Sequence, residues 1–339
     1  MRQNNIFLML LKVFFFSSIL VATSVVRAEL KVVTTIKPLH SLIANVMDGV
    51  GEPALIIEGS TSPHSFTLKP SHAKLLEEAD IIFWVGESIE TFMERPLESI
   101  VKNAEVVEFM EVESINKLKF REESIFEDHD DHDDHDDHDD HDDHDDHDDH
   151  DDHDDHDDHD DHSGHDDHGH AHGEFDAHIW LDPMNAKEMV HEIAHELSDL
   201  DPANKDKYEA NAQATIQALD QLVKDIEKEI NKDAKFVVFH DAYQYFEERF
   251  ETRAAGALTL NTDVLPGAKQ IADIQDVIKD RGIKCIFSEP QFNPKIITTI
   301  AEDMNIKTGV FDPLGANIDS NKDLYFKLIQ NLGNELKGC

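Results

Sequence analysis

Residues 201–230 read DPANKDKYEANAQATIQALDQLVKDIEKEI, with no Gly anywhere and no Pro after Pro202. A proline near the start is preset for a first helical turn. Behind it Tyr208, Ala212, Ile216, Leu219, Leu222, Val223 and Ile226 recur along one stripe at helical spacing. The pattern predicts a single long amphipathic helix through about Ile230. At 1.5 Å per residue it would run ~45 Å, enough to traverse two domains as a stiff strut rather than a floppy linker.

On either side of it, short apolar runs rich in β-branched residues stand where strands are expected. Before it they are Lys31 to Ile36, Ala54 to Glu58, Ala79 to Gly86 and Glu105 to Phe109; after it, Lys235 to His240, Arg253 to Leu258, Lys284 to Glu289 and Lys307 to Phe311. Amphipathic stretches such as Pro38 to Met47, Ser71 to Glu78 and Gly267 to Lys279 lie between them. Strand and helix therefore alternate, as in parallel sheets covered by helices. The expected fold is α/β, with two domains, each a mainly parallel four-stranded sheet flanked by helices, joined by one long rigid helix. Expected boundaries are 29–200 for the N-terminal domain, 201–232 for the linking helix and 233–339 for the C-terminal domain. The chain's 339 residues suit two cores of ordinary size.

Residues 1–28 read as a cleaved secretory signal peptide. Arg2 and Lys12 flank an apolar run from Ile6 to Leu11, and Val26-Arg27-Ala28 offers small-residue cleavage before Glu29. No Cys stands there to take a lipid, and no later stretch is apolar enough to cross a bilayer. A free periplasmic protein without stable membrane insertion, and a monomer, is expected. In that compartment the two cysteines, Cys285 and Cys339, read as one disulfide rather than a thiolate metal site.

The formal net charge of -43 is concentrated in one segment, since residues 127–174 hold 27 acidic residues and no Lys or Arg, leaving -16 elsewhere. With no basic patch, nucleic acid is excluded as a partner and cations are favoured. The segment repeats Asp-Asp-His, placing His129, His132, His135, His138, His141, His144, His147, His150, His153, His156, His159 and His162 at every third position, and trails off through His165, His168, His170 and His172. Without apolar residues it is expected to be a disordered loop that interrupts the N-terminal domain. Each repeat offers a nitrogen and several oxygens, so the loop should bind several divalent ions weakly.

Ligands of open α/β sheets bind beyond the C-terminal ends of strands. His64 stands there in Ser62-Pro63-His64-Ser65-Phe66, and His240 ends Phe236-Val237-Val238-Phe239. His178 follows the acidic segment in Asp176-Ala177-His178-Ile179-Trp180-Leu181-Asp182-Pro183, and Asp312 follows the last strand. Three imidazoles with a carboxylate or a water form a near-tetrahedral site of borderline softness, which suits zinc.

With these segments placed, the chain resembles the zinc-binding receptors of zinc ABC importers, in the metal-binding family of periplasmic solute receptors. The matching pieces are Pro63-His64 with Leu68-Lys69-Pro70-Ser71, His178 through Pro183, His240-Asp241-Ala242-Tyr243, Glu289-Pro290-Gln291-Phe292 and Asp312-Pro313-Leu314-Gly315. The resemblance implies His64, His178 and His240 as ligands of one tight Zn2+, with Asp312 or a water fourth and Glu289 orienting an imidazole behind them. It also implies a Cys285–Cys339 disulfide, and delivery of zinc to the membrane permease of a zinc ABC transporter, without catalysis. The acidic loop would gather or sense zinc. Some zinc receptors carry Glu before the first ligand, where this chain has Pro63.

Other readings compete. A manganese or iron receptor would share the fold, and a periplasmic metal buffer or adhesin would need no permease. His191-Glu192-Ile193-Ala194-His195 matches the helical zinc-protease pattern with Glu192 as general base. No extended protease pattern follows, and a third ligand would have to be Glu209 or some residue the sequence does not specify. His40 could line the cleft, cap a helix start or sit in the core, His72 reads as surface, and Trp84 and Trp180 read as core or cleft wall.

Overall fold

A computed structural model describes residues 29–126, 174–260, 262 and 266–339. The expected signal peptide, and the Asp-Asp-His tract with all its histidines, lie outside the described residues. The first sheet contains β1 (Val32–Thr34), β2 (Ala54–Leu55), β3 (Ile81–Trp84) and β4 (Glu105–Glu108), and the second β5 (Phe236–His240), β6 (Ala257–Thr259), β7 (Cys285–Ser288) and β8 (Lys307–Val310). Their orders are β2-β1-β3-β4 and β6-β5-β7-β8, with every pair parallel. The order reverses between β1 and β3, and again between β5 and β7, the positions where such sheets open a crevice.

Helices α1 (Lys37–Val46), α2 (Pro70–Glu78), α3 (Glu94–Ser99) and α4 (Pro183–Leu200) accompany the first sheet. After α5 (Lys205–Glu229) come α6 (Gln244–Phe250), α7 (Ala268–Asp280), α8 (Lys295–Met304) and α9 (Leu324–Lys337). Every residue of β3 and β5 is buried. That is why these strands read as continuous apolar runs rather than alternating ones.

The long helix is present but starts later than its sequence pattern, because residues 202–204 form a separate 3-10 turn. Its 25 residues span ~37 Å. It packs along α4 and α1 on one side and α9 on the other, burying Tyr208, Ala212, Leu219, Leu222 and Ile226. A Cβ on Gly333 of α9 would lie 3.1 Å from Ile226 Cγ2, so the glycine permits this close approach. α9 is stapled to the second sheet by the disulfide between Cys285 and Cys339.

Polar contacts, buried or partly buried, sew the two halves together. Lys37 Nζ donates to the carbonyls of Gly315 at 2.6 Å, Ile318 at 2.7 Å and Ala316 at 3.1 Å. Ser41 Oγ donates to Lys322 O at 2.9 Å. The chain before the acidic tract also reaches the second sheet, where Ile125 bridges antiparallel to Gly256. A Cβ at Gly256 would meet Ser124 O at 2.6 Å, so this pairing requires a glycine.

Candidate metal centre

His64, His178 and His240 come from three distant stretches, and each is placed by local structure. Pro63 opens a 3-10 turn that carries His64, closed by Phe66 N donating to Pro63 O. His178 precedes the 3-10 turn Ile179–Leu181, whose Trp180 is buried and donates through Nε1 to Pro313 O at 2.8 Å. His240 is the last residue of β5, paired with Thr259 of β6. One nitrogen from each imidazole lies within 4.8 Å of the others, forming the one gathered group of potential metal ligands among the described residues. His178 and His240 are buried and His64 is half-buried.

Two imidazoles are oriented from behind. Asp176 Oδ1 lies 2.7 Å from His178 Nδ1 and also accepts from His178 N at 3.0 Å. Glu289 Oε1 lies 2.6 Å from His240 Nδ1. Both carboxylates therefore favour the tautomer with the proton on Nδ1, leaving Nε2 as a lone-pair donor facing inward. Those two Nε2 atoms are 3.3 Å apart. In a tetrahedral zinc complex with Zn–N of about 2.0–2.1 Å, adjacent nitrogens stand about 3.3–3.4 Å apart, so the pair already has the spacing of a shared ion. Asp176 Oδ2 and Glu289 Oε2 are buried and make no hydrogen bond of their own, so two carboxylates stand behind the imidazoles where a cation would be complemented.

The electrostatics agree. Burial, then the neighbouring imidazoles of His178 and His240, holds His64 well below the usual histidine range. Burial followed by His240 does the same to His178. His240 is raised: burial opposes its charged form, but the Glu289 carboxylate, by charge and hydrogen bond, together with the charges of Asp241 and Asp176, overcomes it. Burial pushes Asp176 up to about 7. Two imidazoles are thus held neutral and ready to coordinate, while the third competes for a proton.

Asp312 is not in the gathered group. Its Oδ1 accepts from Gln291 Nε2 at 2.9 Å, Leu314 N at 3.1 Å and Gly315 N at 3.0 Å, and its Oδ2 from Ala316 N at 2.6 Å. His40 is half-buried away from the centre, its Nε2 3.1 Å from Pro53 O. His72 caps α2, with Nδ1 accepting from Lys69 N at 3.2 Å, and Trp84 belongs to the core.

Sequence reading missed the supports around the centre. Asp176 is one. Arg121 is another: its guanidinium bonds Asp241 Oδ1 at 2.9 Å and Glu247 Oε2 at 2.6 Å, beside His240. Tyr245 Oη donates to Asp176 O at 2.5 Å and accepts from Leu118 N at 2.9 Å. The only local signal was a carboxylate two residues before His178.

Comparison with known proteins places this architecture. The high-affinity zinc uptake system protein ZnuA of Brucella abortus is 50% identical over 310 residues, covering 91% of each chain. That of Haemophilus influenzae is 37% identical over 315 residues, covering 92% of this chain and 93% of its own. A solved structure described as "Crystal structure of ZnuA" shares the fold, with a TM-score of 0.67 at 20% identity over 90% of this chain and 98% of that one. The family model for ZnuA, zinc-uptake complex component A, periplasmic, matches residues 32–339, and the chain belongs to that family.

Proposed function

We propose that this protein captures one Zn2+ tightly through His64, His178 and His240, outside the cytoplasmic membrane, and delivers it to the permease of a zinc ABC transporter. The observation that carries the reading is the convergence of three imidazole nitrogens within 4.8 Å, two of them backed by buried carboxylates. Zinc is the cargo: coordination bonds to it form on capture and break on delivery, with no covalent chemistry. A donor set of three nitrogens favours zinc over manganese, which takes carboxylate and water oxygens more readily. The four hydrogen bonds that occupy Asp312 favour a water in the fourth position. The Asp-Asp-His tract gathers zinc when it is scarce or senses it when plentiful, and residues 1–28 are the export signal.

Competition titration with a chromogenic chelator tests the tight site. One zinc per chain should bind in the closed-site affinity range, and combined alanine replacement of the three histidines should abolish it. Manganese displacing zinc at comparable concentration would sink the zinc assignment. Deletion of residues 128–172 should remove only the weaker binding.

A further inference from the structure

The His191-Glu192-Ile193-Ala194-His195 motif plays no part in the three-imidazole centre. It lies inside α4, which is helical without interruption from Pro183 to Leu200. His191 and His195 are therefore neighbours on one face, with Cβ atoms ~6 Å apart, the spacing at which two helical imidazoles hold one zinc ion. Both are exposed. They line a groove of about 570 Å³ along the packed α4/α5 pair, whose buried lining includes the small residues Ala194, Ser198 and Ala212. Small residues there leave room above for an ion and its waters.

Glu209 of α5 lines the same groove, so a second helix brings a carboxylate to the two imidazoles. Asp199, one turn beyond His195, has Oδ2 3.8 Å from His195 Nδ1. A small rotamer change would let it take that N–H and leave Nε2 free to coordinate. Glu192 behaves differently. It does not line the groove, and its charge acts instead on Glu196, on a flank shared with Glu105. The motif thus has two metal donors on the groove side without the general base that hydrolysis would need beside them.

We propose that His191, His195 and Glu209 form an accessory site for a divalent transition cation such as Zn2+, separate from the buried centre and without hydrolytic activity. The three side chains are not gathered as those of the buried centre are, and Glu209 Oε1 instead faces Lys205 Nζ at 3.6 Å. Binding must break that pair and fix exposed side chains, so the site is weaker than the preassembled one.

Histidine acylation by diethyl pyrocarbonate tests this in the full chain, preloaded with one equivalent of Zn2+ and titrated with buffered free Zn2+. The tryptic peptide from Glu188 to Lys205 contains His191 and His195 as its only histidines, so mass fragmentation reads each separately from the Asp-Asp-His tract. Both should be protected with one shared midpoint. His191→Ala should weaken protection of His195 by about tenfold or more, the effect of losing ~1.4 kcal/mol of binding, and Glu209→Gln should weaken both several-fold. Residues 191, 195 and 209 are exposed, so these variants test binding rather than folding. The proposal is overturned if the two histidines stay reactive throughout the titration, or if the His195 midpoint is the same in His191→Ala. Neither result bears on the buried centre, which is read from chelator competition.

Discussion

Replacing Asp176 by Asn should move metal affinity and metal-free stability in opposite directions. Its carboxylate is buried, 2.7 Å from His178 Nδ1, with Oδ2 unpartnered. Asn keeps the shape and can still accept from that ring, but it removes the charge that complements a bound cation. Carboxylates behind metal-bound imidazoles are worth about 10–100-fold in affinity, or ~1.4–2.8 kcal/mol. Without metal the same charge is a burden. Burial pushes this group from 3.8 up to about 7, so between those values the folded chain holds a proton that the unfolded chain has released. Stability conferred on the metal-free fold therefore falls as pH rises from about 4 to about 7 and stays low above it, by at most ~4 kcal/mol. The Asn variant lacks that loss. Chelator competition should show weaker zinc binding, and urea unfolding of the metal-free protein at about pH 8 should show a gain relative to wild type that shrinks near pH 4. Unchanged zinc affinity in a folded variant would refute the orienting role, and a metal-free protein destabilised at alkaline pH would refute the electrostatic account.

Asp312→Asn should alter zinc affinity less than Asp176→Asn in the same competition assay, since its oxygens hold a turn; a larger loss would make Asp312 a ligand. Zinc affinity should fall on acidification, with about one proton taken up per zinc lost as pH drops through the raised range of His240, and a steeper slope only at lower pH where His64 and His178 protonate; affinity flat between about pH 5 and 8 would contradict this. Replacing Cys285 and Cys339 by Ser opens a loop with a sequence separation of 54, which should cost ~4 kcal/mol of stability in denaturant titration while leaving the fold intact.

What could be read from sequence follows from which interactions are local. Ile81-Ile82-Phe83-Trp84 and Phe236-Val237-Val238-Phe239 announce parallel strands because helices cover both faces and every side chain is buried. The sixth candidate, Arg253 to Leu258, is shifted to Ala257–Thr259, in a setting no window of sequence contains. Ala255 O accepts from Phe126 N and Ala257 N donates to Ser124 O, so these residues pair with a segment more than a hundred positions away. His64 and His240 could be nominated because fold topology brings residues beyond strand ends toward one crevice, with local turns completing the placement. Asp176 could not, since it follows a tract so rich in Asp that its spacing from His178 is lost among many, and only burial beside His178 gives it a role. Asp312 shows the converse. Standing past a strand end it resembles a ligand, yet Asp-Pro-Leu-Gly is also turn chemistry, and the amides of Leu314, Gly315 and Ala316 claim its oxygens. Position relative to a sheet nominates a metal-binding carboxylate; the donors already bonded to it decide whether it is free to bind one.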